Sequence, residues 1–195
     1  MRAITALQRS SYWPRTFLNM FVVVFGTAGS GKTTVGQAIA ARLGWPFFEG
    51  DAFHSAENIA RMHAGIALGD AERAPWLAAL AQLVAEHLAS GTNGILACSA
   101  LKRRYRAMLV PPSAKPGEVR FVLLRADRAL LEARLRGRRG HFFAPELLDS
   151  QIADLELPAA GEAVIEVDAA QSIEAIVDAV CAALTPGKPP GRQSA

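Results

Sequence analysis

The run Phe21-Val22-Val23-Val24-Phe25 passes without a break into Gly26-Thr27-Ala28-Gly29-Ser30-Gly31-Lys32-Thr33, and this junction restricts the fold more than any other stretch of the chain. Five apolar residues, all β-branched or aromatic, read as a strand. The next eight satisfy GxxxxGK[ST], and helical periodicity then runs from Gly31 to about Leu43, where Gly44 stops it. Strand, glycine-rich loop and helix in that order make a cradle for phosphate. Glycines let successive amide N–H groups turn inward toward phosphate oxygens, and the helix adds the positive end of its dipole. Lys32 supplies a mobile cation for β- and γ-phosphates, and the Thr33 hydroxyl suits one position of a Mg²⁺ shell. The nucleotide-contacting set is read as Gly26, Thr27, Ala28, Gly29, Ser30, Gly31, Lys32, Thr33 and the adjoining Thr34.

Downstream, short β-branched or aromatic runs alternate with longer helical stretches, which implies crossover units and a parallel sheet. Strands are expected at Phe21–Phe25, Pro46–Glu49, Gly94–Cys98, Val119–Leu124 and Val164–Val167. A long helix is expected after Asp70, with Pro75 near its first turn and an end near Leu88, and Asp127 and Ser172 read as N-caps of two later helices. The fold class is therefore α/β, in three layers, with a five-stranded parallel sheet flanked by helices. Gly137 to Ala144 is polar and reads as a mobile loop.

A chain of 195 residues, about half apolar and a fifth charged, fits one domain with a real core. No apolar run approaches the roughly 18 residues of a membrane span, so no membrane partner is expected. The pI near 9.2 invites a nucleic-acid reading, but the charge sits at the ends. Arg2, Arg9, Arg15, Lys188 and Arg192 belong to residues 1–19 and to the stretch after Leu184; without these five, 16 basic residues face 18 acids. No nucleic-acid partner is expected. Two cysteines, Cys98 and Cys181, outside any CxxC spacing indicate neither a disulfide framework nor a zinc site, and fit a reducing, cytoplasmic setting. Residues 1–19 and 185–195 are expected to be disordered ends around a domain at 20–184, with Met20 an alternative start.

In an open parallel sheet, ligands gather at the carboxyl ends of the strands. The second strand ends in Glu49-Gly50-Asp51, placing the Asp51 carboxylate where an incoming hydroxyl could be oriented and relieved of its proton. A lone acid after a strand is more often a loop residue, and neighbouring motifs decide between the readings. Gly50-Asp51-Ala52-Phe53-His54, then Asn58-Ile59-Ala60-Arg61-Met62, Gly65, Leu68, Asp70, Arg73 and Pro75-Trp76-Leu77 resemble the gluconate kinase family of P-loop proteins. Cys98-Ser99-Ala100-Leu101-Lys102 with Tyr105-Arg106, Gly140-His141-Phe142, Ser150-Gln151, Leu155-Glu156 and Pro158 extend the likeness over roughly residues 21–183. Ser55, Arg61 and Gly69 depart from the family's usual Pro, Lys and Asn.

The resemblance implies ATP and Mg²⁺ as cofactors, D-gluconate as acceptor at its 6-hydroxyl, a homodimer, and a lid spanning about residues 134–155. A polyhydroxy acid needs a cation and several hydrogen-bonding groups. Asp51, His54, Asn58, Arg61, Arg73, Ser99, Lys102 and His141 form the expected acceptor set, with Lys32, Asp51, Arg134, Arg138 and Arg139 as the catalytic set. The arginines also suit a merely solvated helix end. Of the basic run after the third strand, only Lys102 starts close enough to reach a ligand, while Arg103, Arg104 and Arg106 are expected to be solvated. Trp45 and Trp76 read as packing residues, and His63 and His87 carry no assigned role. Rival readings are a kinase of another acceptor such as shikimate or a nucleoside monophosphate, a GTPase, a polynucleotide-modifying protein, and a non-catalytic nucleotide-binding module.

Overall fold

The computed structural model describes residues 19–137, 145–159, 162 and 164–185. In chain order the elements are β1 (Phe21–Phe25), α1 (Lys32–Leu43), β2 (Phe47–Glu49), a 3₁₀ turn (Gly50–Phe53), α2 (Ala56–His63), α3 (Asp70–Ala89) and β3 (Gly94–Ala97). They continue with α4 (Arg103–Met108), β4 (Val119–Arg125), α5 (Arg128–Arg136), α6 (Pro145–Asp154), β5 (Val164–Asp168) and α7 (Ile173–Leu184). The five strands pair in the order β2-β3-β1-β4-β5, all parallel.

The central position of β1 explains its unbroken apolar run, because every residue from Phe21 to Phe25 is fully buried. Alternation divides the core in two. Val22, Val24, Ile95 and Val122 point toward α1 and α7, whereas Phe21, Val23, Phe25, Leu96 and Leu123 point toward α3 and α4. Helix ends follow local chemistry. Gly44 closes α1 in the left-handed conformation, and the Asp127 and Ser172 side chains accept from Leu130 N–H and Ala175 N–H at the starts of α5 and α7.

The basic run after β3 departs from its expected solvation at one position. Arg106 is only 2% exposed, because α4 turns it inward over the Phe25 ring. There it pairs with Glu162 at 2.9 Å and donates to the Leu101 carbonyl at 2.9 Å. Burial raises the Glu162 carboxyl, but hydrogen bonds from Arg106, the Ala159 amide and Arg103 outweigh it and hold the group below its ordinary range. Arg103 and Arg104 are exposed as expected. Among the described residues no helix is long and apolar enough to cross a membrane.

Candidate active site

The carboxyl ends of β1, β2 and β3 open onto a cavity of about 400 Å³. Its floor is the β1–α1 loop. Gly29 and Gly31 take φ of +83° and +98°, a region that admits glycine without strain, and Gly31 caps α1. Lys32 Nζ donates to the Thr27 carbonyl at 3.0 Å. Thr33 Oγ1 donates to Glu49 Oε2 at 2.7 Å, joining the cradle to the end of β2. Ala28, Gly29, Gly31, Lys32 and Thr33 line the cavity. Thr27 and Ser30 are buried in the loop, and Thr34 is exposed on the first turn of α1.

Opposite the cradle stands the turn that carries Asp51. A Cβ on Gly50 would lie 2.6 Å from the Ala97 carbonyl oxygen, so only glycine lets this turn press against β3. The Trp76 indole N–H holds the Gly50 carbonyl at 2.7 Å, and the His54 ring stacks on the indole with centroids 4.5 Å apart. Asp51 and His54 thereby face the cavity together with Ser99 and Arg73. Burial depresses the His54 pKa below 6.5; Asp51 opposes this and Arg73 adds to it. The imidazole is therefore neutral at pH 7, suited to hydrogen bonding with an alcohol rather than to pairing with an acid.

Other expected acceptor residues lie elsewhere. Asn58 Nδ2 donates to the Glu72 carbonyl at 2.8 Å and Arg61 approaches the Glu72 carboxylate at 3.9 Å, so both tie α2 to α3 outside the cavity lining. Lys102 also lies outside the lining, 3.1 Å from Asp154 Oδ1, and that bond raises its pKa against the effect of burial. Arg73 donates through Nε to the Leu68 carbonyl at 3.1 Å and stands 3.8 Å from Asp154 Oδ2. Asp154, at the end of α6, thus shares two of the expected acceptor cations.

Arg134 reaches back from α5 to the Ser30 carbonyl at 3.1 Å and the Ala169 carbonyl at 2.7 Å, bracing the cradle against the exit of β5. Arg138, Arg139 and His141 lie outside the described residues, as does most of the expected loop at 137–144. Glu49, Gln151 and His63, to which the sequence reading gave no site role, also line the cavity. Glu49 had a signal, a second carboxylate at the end of the same strand. Gln151 stood in the Ser150-Gln151 string of the family resemblance without a role of its own, and His63 had no signal.

Thr33 and Glu49 form a pair of hard oxygen donors beside the phosphate cradle, which suits a Mg²⁺ ion that keeps water and phosphate as its remaining ligands. Among the described residues no cluster of three His, Cys, Asp or Glu could hold a metal alone.

Comparison with known proteins shows the family. A family model described as an AAA domain matches residues 21–158. A probable gluconokinase of Rattus norvegicus is 42% identical, over 84% of this chain and 96% of its own length. The gluconokinase of Gluconobacter oxydans is 42% identical over 81% of this chain and 87% of its own. A gluconokinase crystal structure from Sinorhizobium meliloti superposes with a TM-score of 0.76 at 44% identity, covering 87% of this chain and 93% of that one. Shikimate kinase from Aquifex aeolicus, 15% identical with a TM-score of 0.55, shares the fold. With a phosphate cradle, a braced aspartate facing it and this degree of likeness along most of its length, the chain belongs to the gluconokinase family.

Proposed function

We infer that the chain transfers the γ-phosphoryl group of ATP to the 6-hydroxyl of D-gluconate. One observation carries the reading: Asp51 stands on a turn fixed by Gly50 and Trp76, in the same cavity as Lys32 and Thr33. The acceptor oxygen forms a bond to the γ-phosphorus, the bond to the bridging oxygen breaks with its electron pair leaving on ADP, and Asp51 takes the hydroxyl proton. Such transfer depends mainly on positioning and charge stabilisation, which the fixed turn under Asp51 supplies. Lys32 and the loop amides hold the phosphates, and Thr33 and Glu49 would hold Mg²⁺, which neutralises phosphate charge when bound. Neutral His54, Ser99 and Arg73 offer hydrogen bonds and a cation to the polyhydroxy acid.

Arg138, Arg139 and His141 are proposed to act from the lid, and the enzyme is proposed to be a cytoplasmic homodimer, for which sedimentation of the purified protein is the test. A coupled ADP-release assay across gluconate, other sugar acids, shikimate and nucleoside monophosphates tests the acceptor. Turnover with gluconate at least about tenfold above every other acceptor supports the reading, and preference for another acceptor overturns it.

A further inference from the structure

Gln151 sits on α6, 123 residues from the phosphate cradle in sequence, yet its side chain meets the cradle directly. The Ala28 amide N–H donates to Gln151 Oε1 at 2.7 Å. A backbone N–H can only donate, so chemistry fixes the orientation of the side-chain amide: the oxygen is committed to the loop, and the two Nε2 hydrogens are left as donors. Gln151 lines the cavity, and among the described residues its Nε2 group has no protein hydrogen-bond partner. Its helix is anchored. Leu148 packs with Leu131 and Leu135 of α5, and Asp149 pairs with Arg128 at 2.6 Å. A donor held by the cradle, on an anchored helix, lines the same cavity as Lys32 and Asp51.

Resting on the kinase reading above, we propose that Gln151 is a further catalytic residue, its Nε2 donating to an oxygen of the phosphoryl group during transfer. As the acceptor oxygen bonds to phosphorus and the bridging oxygen departs with ADP, charge spreads over the three remaining phosphoryl oxygens. A fixed neutral donor there costs no reorganisation when that charge develops. The bond to Ala28 serves as the anchor, setting the amide's direction before either substrate binds.

Two variants separate a donor from a brace. Gln151→Glu retains an oxygen for the Ala28 N–H but carries no donor, whereas Gln151→Met retains neither. The wild type is first shown to phosphorylate gluconate; failure there removes the function assigned above and is visible before any variant is made. Each variant is then titrated with ADP–Mg²⁺ alone and with ADP–Mg²⁺ plus aluminium fluoride, which imitates the transferring group, so that binding is read independently of turnover.

Both variants are expected to lose about 10- to 100-fold in kcat, with KM for ATP and affinity for ADP changed by no more than about threefold, and to lose affinity for the fluoride complex by a factor matching kcat. Two results overturn the proposal. One is Gln151→Glu matching the wild type in kcat and in fluoride-complex affinity while Gln151→Met does not, which makes the residue a brace only. The other is an equal loss of ADP affinity in both variants, which makes it a prop of the cradle.

Discussion

Asp51 owes its place to its neighbours. Gly50 admits the close approach to β3, and Trp76 fixes the carbonyl just before the carboxylate. Exchange of Asp51 for Asn preserves size and removes the proton acceptor, so kcat with gluconate should fall by at least about 100-fold while titration with ADP finds affinity nearly unchanged. Equal loss of nucleotide binding would mean that Asp51 holds metal or structure instead. Two residues further from the reaction show what local pattern can and cannot reveal. Ala100 is buried at φ +34°, in the turn that delivers Ser99 to the cavity. An L-residue at that angle carries strain, partly offset on exchange to glycine by the greater freedom of the unfolded chain. Ala100→Gly should therefore raise stability by about 0.5 kcal/mol in urea unfolding. The strings Gly26–Thr33 and Gly50–His54 were legible because their chemistry is contiguous. The contact of Gln151, the torsion of Ala100 and the inward turn of Arg106 were not, although strings holding all three carried the resemblance, since no local pattern encodes a contact or a torsion.

Among the elements, α1, α3 and all five strands were legible to within a residue or two at their ends, because periodicity and caps are local properties. Their spatial order was not, since a run of valines states burial without naming neighbours. The packing of α4 illustrates the gap. Three basic residues after Lys102 read as a wet helix face, yet Arg106 ties α4 to the segment before β5 through Glu162. Removing the acid with Glu162→Gln leaves a guanidinium at 2% exposure without its counter-charge. The expected cost is about 2 kcal/mol, below the roughly 3–5 kcal/mol of a fully buried broken pair because the Glu162 side chain is still 21% exposed. Since Glu162 titrates below its ordinary 4.5 in the folded chain, its contribution is complete above pH 4.5 and disappears as pH falls through the folded value. Stability measured from pH 6 down to pH 3 should decline less steeply in Glu162→Gln than in the wild type.

Across the whole molecule, the site is assembled beyond the carboxyl ends of the strands from segments near residues 28–33, 49–54, 59–68, 73–76, 99, 135 and 147–151. A nucleotide bound there links elements remote in sequence. ADP with Mg²⁺ at about 100 times its Kd should therefore stabilise the wild type by about 2.7 kcal/mol, seen as a rise in Tm. Lys32→Met should lose most of that rise while its ligand-free Tm stays close to that of the wild type, because the Lys32 side chain is only half-buried. The alternation of β1 has a wider implication. One face of the sheet is covered by α1 and α7, and the other by α3 and α4. Lys32 and Thr33 of the phosphate cradle open α1, whereas Arg73 and Trp76 of the opposite wall belong to α3. A breeder of new specificities could accordingly restyle the α2–α3 region for a different alcohol while leaving the nucleotide half as it stands, and the fold would tolerate such grafts more readily than changes that straddle both.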